Sequence, residues 1–273
     1  MTDLRKRLFL SAAVSAAGTV IFLSGCSGRV TPEKLFNEAS KQMQEVSSSS
    51  SRVELDIQLE DILDLREVNM EMEMENTTDP PAGHAKGSAE VNIVDAEVSG
   101  DMEIYQVMED GEYVIYSSLD GKWEREVTDP DSENHLGIDG NIFAQEGDVL
   151  EDFHLAEEPV TVEGRECYQM YGDVKGEDLM GLLGRDMISA FGLVDLPSEE
   201  AVKELDVPVI FDIYKEELLP ARIIVDMSGV LGDLYDSYGE TTKVNLYSIE
   251  LVFTEYDQVE EITVPQEVRD ASS

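Results

Sequence analysis

Positive charge is what this sequence has least of. Its 273 residues hold 19 Lys and Arg against 60 Asp and Glu, a formal net charge of −41. A field of that sign repels phosphates and anionic headgroups, and it favours solubility and diffuse cation binding. Nucleic-acid binding is thereby excluded. Cysteine occurs only as Cys26 and Cys167, and histidine only as His84, His135 and His154, none in a recognisable motif. There is no Gly-x-Ser-x-Gly, His-Glu-x-x-His, P-loop or Gly-x-Gly-x-x-Gly, the patterns that bring a nucleophile, a zinc ion or a nucleotide to a fixed place. Carboxylates are so abundant that chance Asp/Glu pairs carry no information about catalysis. The expectation is a protein that is not an enzyme and needs no cofactor. The apolar run Leu8–Leu23 has sixteen residues and is diluted by Ser11, Ser15, Gly18 and Thr19, short of the roughly twenty that span a bilayer.

That run follows Arg5, Lys6 and Arg7 and ends in Leu23-Ser24-Gly25-Cys26. A basic start, an apolar stretch and small residues before a cut form a secretory signal. With cysteine after the cut, the pattern resembles a bacterial lipoprotein signal. The resemblance implies cleavage between Gly25 and Cys26, lipidation of Cys26, and a mature chain held on the outer face of the cell membrane. Each buried methylene of such an anchor contributes about 0.8 kcal/mol, so several acyl chains hold firmly where one holds marginally. Removing the three basic residues and one acid of the first 25 leaves 248 residues with 16 basic and 59 acidic side chains. Cys167 is then left without an intrachain partner. It sits in the alternating stretch Arg165–Tyr171, which predicts a buried, inert thiol.

Beyond a tether at 26–30, Thr31-Pro32-Glu33 opens a helix with an N-cap, a proline at the first position and an acid in the first turn. Leu35, Ala39, Met43 and Val46 recur at helical spacing, predicting a helix from Pro32 to about Val46, ended by Ser47–Ser51. From Arg52 the period becomes two: Val53, Leu55, Ile57 and Leu59, then Val68, Met70, Met72 and Met74. Each run reads as a half-buried antiparallel strand. Residues 76–83 read as a loop, and strands resume at Ala85–Ile93, Met102–Val107, Tyr113–Tyr116 and Trp123–Val127. Asp110-Gly111 and Asp120-Gly121 mark tight hairpins. The acids Asp129, Asp131 and Glu133 fail the EF-hand test, since Asn134 and Gly140 stand where glycine and glutamate are needed. An amphipathic helix is expected over Gly176–Phe191, with Leu179, Leu183 and Met187 on one face, and a short one near Ser198–Leu205. Val207–Tyr214 and Pro220–Met227 form a hairpin, Val230–Tyr238 is broken by glycine, and Lys243–Tyr256 is a long strand with a bulge near Ser248. The expected domains are a signal at 1–25, the tether, one domain at 31–268 and a tail at 269–273.

Several of these stretches together resemble the LolA-like half-barrel of bacterial lipoprotein carriers and its LppX-type relatives. They are the helix after the tether, Met70–Met74, the Tyr113–Trp123 hairpin, the Val209–Ile223 pair and the closing Tyr256–Pro265. The resemblance implies an α+β fold: a curved, half-open antiparallel β-barrel whose apolar concave face is covered by the N-terminal helix and an inserted amphipathic helix. It also implies an apolar ligand, an acyl chain or a lipidated partner, in the hollow. Met70, Met72, Met74, Leu179, Leu183 and Met187 are the candidate contacts, methionine being well suited to an adaptable apolar surface. The same residues would equally serve as plain core, which leaves a surface interaction module as the alternative, its contacts around Ile138–Phe143.

Overall fold

The computed structural model describes residues 30–61, 64–93, 96–128, 153–183, 188 and 198–272. Thr31–Ser273 forms one compact unit, and all three core clusters described below lie inside it. It begins with α1 (Pro32–Met43), whose Thr31 cap accepts a hydrogen bond from the Lys34 amide. Six strands follow as a meander: β1 (Ser48–Asp61), β2 (Asp64–Thr78), β3 (Pro81–Ile93), β4 (Ala96–Glu109), β5 (Glu112–Leu119) and β6 (Lys122–Thr128). The chain resumes with β7 (His154–Leu155), β8 (Val160–Val162), β9 (Arg165–Lys175), α2 (Gly176–Leu183), α3 (Glu199–Lys203), β10 (Asp206–Tyr214) and β11 (Pro220–Asp226). It closes with α4 (Ser228–Tyr238), β12 (Lys243–Tyr256) and α5 (Gln266–Ala271).

Among the described residues the strands form one twelve-stranded sheet in the order β6-β5-β4-β3-β2-β1-β12-β11-β10-β9-β7, with β8 also on β9. Every pairing is antiparallel. β6 and β7 are its two ends, so the sheet is open. The expected curved, half-open α+β architecture is what the chain adopts. The hairpin tips have the chemistry their sequences demand: Asp110-Gly111, Asp120-Gly121 and Glu163-Gly164 all take positive φ at both positions, the signature of type I′ turns.

Register carries one apolar face across the sheet. Leu55 pairs with Met70 and Ile249, Met70 with Ala89, and Val225 with Ile249 and Val209. This concave face forms the main core together with Leu35, Phe36 and Ala39 of α1, Leu179 and Leu183 of α2, and Leu231 of α4. A second core lies on the opposite, convex face, where Val264 and Val268 of the C-terminal segment pack with Tyr105, Val107, Val114 and Tyr116. Arg269 fastens that segment by hydrogen bonding Glu109 and the Tyr116 hydroxyl. The segment starts at Asp257, whose Oδ1 accepts from the Ser47 amide at 2.7 Å and hydroxyl at 2.8 Å. Those bonds hold its carboxyl below the usual carboxylate range. On the convex face of the other half, Arg222 lies 2.7 Å from Asp212 and 3.3 Å from Glu250, and Gln169 also donates to Asp212.

Five local readings change. The serine run that was to end α1 is the start of β1, because Ser48 and Ser49 pair with Thr77 and Asn76 on one side and Ser49 with Tyr256 on the other. The expected loop at 76–83 shrinks to a turn, since β2 continues to Thr78 and β3 begins at Pro81. Val230–Tyr238 lies in a regular helix closed by left-handed Gly239, with Leu231 and Tyr235 buried one turn apart. The irregularity expected near Ser248 falls instead where Leu246 and Val244 pair with Gln58 and Leu59, with a second shift near Ser50. α5 takes in residues 269–271, the first part of the stretch read as a tail.

Because the Asp212 side chain has no solvent exposure, it depends on its partners for solvation. Arg222→Met is expected to cost about 3 kcal/mol by stranding that carboxylate, read as a lowered urea midpoint at unchanged m-value. Asp212→Asn with Arg222→Met should recover much of the loss.

Candidate functional site

Among the described residues the helices lie over one half of the concave face. Over β9–β12 the helices sit close. Phe36 of α1 meets Phe211 of β10 with ring centroids 5.1 Å apart and Phe153 at 5.3 Å, both edge-on. α2 lies against β9, and α4 against β12. The Tyr247 hydroxyl donates to the carbonyl of Ile188, and burial raises its pKa.

Toward β6 the apolar face continues, half-buried at Met102 and Ile115, and reaches solvent at its ends. On β4 its residues are Val98, Gly100, Met102, Ile104, Gln106 and Met108, set by pairing with Val91, Ala89, Gly87 and Ala85 of β3. Val98 is 58 % exposed and Met108 37 %, while Ile104 is buried. On β5 the same face carries Tyr113, Ile115, Ser117 and Leu119, the last 55 % exposed. On β6 it carries Lys122, Glu124 and Glu126. The floor beside this strip is low, because β3 presents Gly83, Ala85, Gly87 and Ala89. Gly87 has no room for more: a Cβ there would lie 1.9 Å from the Glu71 carbonyl oxygen.

Met70, Met72 and Met74 sit on this face, at 3 %, 1 % and 3 % exposure, in the main core with Leu179 and Leu183. The structure brings these five into one cluster; Met187 lies outside the described residues, as do Gly25, Cys26 and Ile138–Phe143. Sequence reasoning missed Val98, Met108 and Leu119. Their alternation was visible, but nothing local distinguishes an apolar residue beneath a helix from one left open.

The remaining reactive groups are structurally occupied. Cys167 is buried in a small convex cluster with Val162, Tyr214, Ala221 and Val252, and burial pushes its thiol up to about 11. His84 stacks on Tyr105 at 4.2 Å and lies 2.9 Å from Glu103. His154 is exposed beside Tyr171. No group of three or more His, Cys, Asp or Glu among the described residues forms a metal shell. No described helix is long and apolar enough to cross a membrane.

Fold and face together define an open antiparallel half-barrel with an apolar concave side, roofed by helices over one half. The chain belongs to DUF6612, a family of unknown function, whose model matches residues 31–273. Among solved structures it is similar to LprF from Mycobacterium bovis, at 12 % identity and a TM-score of 0.49 over 86 % of this chain and 96 % of that one. It is also similar to the Mycobacterium tuberculosis lipoprotein LppX, at 13 % identity and 0.46 over 85 % and 97 %. LppX is of the type that the sequence patterns resemble. No curated protein was found to match the chain.

The Cys167 environment makes a chemical prediction. With the thiol near 11, only about one molecule in a thousand carries the thiolate at pH 8. Iodoacetamide should therefore leave the native domain unlabelled over hours and modify it fully in denaturant. Labelling at the rate of a free thiol would show the site to be open.

Proposed function

We propose that this protein is a lipoprotein, anchored through lipidated Cys26 on the outer face of the cell membrane, that binds an apolar ligand on the concave face of its half-barrel. One observation carries the binding reading: an apolar sheet face that begins as core at β1–β3, continues half-buried through Met102 and Ile115, and reaches solvent at Val98, Met108 and Leu119. Exposed apolar area of this kind on a monomer commonly marks a site of interaction. It does not come from a frayed edge, because the same strands are buried from behind by Val264 and Val268. The ligand is an acyl chain, free or carried by a lipidated partner, and it lies along β4 and β5 with its inner end toward the methionines.

Two measurements test this. Palmitate fed to growing cells should label the wild-type protein and not Cys26→Ser; equal labelling would remove the anchor. For the ligand, the Thr31–Ser273 unit is exposed to membrane lipids and weighed by native mass spectrometry. A bound acyl species near one per chain is expected, reduced at least tenfold in Leu119→Glu, a position exposed enough for the fold to survive. A clean apo mass would sink the binding reading and turn attention to a protein partner.

A further inference from the structure

Two arginines meet on one glutamate. Arg269 of α5 hydrogen bonds Glu109 of β4, and Arg125 of β6 lies 3.8 Å from the same carboxylate. The Tyr116 hydroxyl of β5 donates to Glu109 at 3.3 Å and accepts from Arg269 at 3.2 Å. Both guanidinium groups lie over the Tyr116 ring, at 5.9 Å and 5.6 Å. In a chain with 19 basic and 60 acidic residues, this convergence ties three adjacent strands to the C-terminal segment at a single point. The other end of that segment is fixed at Asp257, bonded to Ser47, and residues 258–265 form neither helix nor strand. The β5–β6 hairpin leans on this segment more than on the main core. β6 presents Lys122, Glu124 and Glu126 to the concave side, all exposed. Ile115 is the one described residue of β5 or β6 that packs on the main core. On the convex side Val114, Tyr116 and Trp123 pack with Ile262, Val264 and Val268. Among the described residues β6 pairs with β5 alone.

We propose that the C-terminal segment is a latch, closed at Glu109, and that its release lets the β5–β6 hairpin part from β4 and admits an apolar ligand to the concave face beside Met102 and Ile104. The assignment rests on the binding reading above and adds the way in. With the latch closed, Met102 and Ile115 are half-buried and Ile104 is buried, so a chain reaches the full length of the face only when the hairpin yields. Release needs only the parting of Glu109 from Arg269. The residues leading to α5 belong to no sheet or helix, so α5 lifts with Val264 and Val268 while Asp257 stays bound. A terminal hairpin with little concave burial then belongs to the least stable local units of a domain, those that open well before the whole unfolds.

The test compares the Thr31–Ser273 unit with its Arg269→Met and Glu109→Gln variants by hydrogen exchange. Arg52→Met, whose partners Glu54 and Glu163 lie away from the latch, is the control. Exchange over residues 112–128 should rise at least tenfold in both latch variants, with 206–226 and 243–256 unchanged, and Arg52→Met should leave 112–128 at the wild-type rate. Trp123, the single tryptophan of the chain, should become at least twofold more accessible to acrylamide in the latch variants. The apolar dye 1-N-phenylnaphthylamine should bind them at least threefold faster than the wild type. If 112–128 keeps its protection, or loses it only together with 206–226 and 243–256, there is no latch. If the hairpin loosens and the dye binds no faster, the latch is not the way in and the proposal is overturned. If the dye binds none of the proteins, the binding reading falls and the way in with it, while exchange alone still decides whether the latch exists.

Discussion

Everything in this fold depends on the seam where β1 meets β12. The meander β1–β6 and the sheet β9–β12 are each locally connected, but they become one surface only through the ladder from Ser49–Tyr256 to Glu60–Lys243. Joining residues some 200 positions apart costs about 5 kcal/mol of chain entropy beyond the constant cost of closure. The seam repays this by burial, setting Val53, Leu55 and Ile57 beside Leu251, Ile249 and Tyr247 on the concave face. Without it the helices that roof β9–β12 would have no common core with the methionines of β2. Two further ties cross near its end: Asp257 receives both Ser47 donors, and the Asp257 amide donates to the carbonyl of Ser48.

The scarcity of basic residues acts on the same seam. Across its convex face Glu250, Glu54 and Glu71 stand directly opposite one another, an arrangement that like charges make unfavourable. Arg52 donates to Glu54 at 3.1 Å and Arg222 reaches Glu250 at 3.3 Å, so cations are found where the acids are crowded by pairing. Arg222 also neutralises buried Asp212, and Arg165 lies 3.4 Å over the ring of Tyr214. The cost of holding a −41 chain in one sheet is met by placing arginine on its convex side.

The alternating strands, the Asp-Gly hairpins and the capped first helix were legible because each is decided by neighbours in sequence. Met70–Met74 was legible as an inward stripe for the same reason. Val230–Tyr238 was not, since Gly229 and Gly232 argue against a helix. Ideal Cβ positions at both meet open space, so packing of Leu231 and Tyr235 decides the element and the glycines are merely tolerated. Pro81 looked like a breaker, yet the ladder with Thr78 needs no amide at its first residue. The open strip was the least legible of all. Val98 and Leu119 fell outside the strands expected from alternation, and their exposure is decided by α1, α2 and α4 packing over distant strands.

That placement inverts the usual logic of a two-layer fold. A sheet with one apolar face normally buries it and solvates the other. Here β9–β12 bury theirs beneath the helices, but β4 and β5 bury tyrosines and valines on the convex side and leave Val98, Met108 and Leu119 of the concave side in water. At about 25 cal/mol per Å² of apolar surface, an uncovered Val98, Met108 and Leu119 together forgo a few kcal/mol that a covering element would recover. The C-terminal segment could have supplied that cover, being apolar at Ile262, Val264 and Val268 and ending in a helix, yet it packs behind the strands. These strands thus draw part of their stability from the convex core while Val98, Met108 and Leu119 stay in water. A face held in this way is preorganised: a chain settling on it buries apolar area without first ordering the strands beneath.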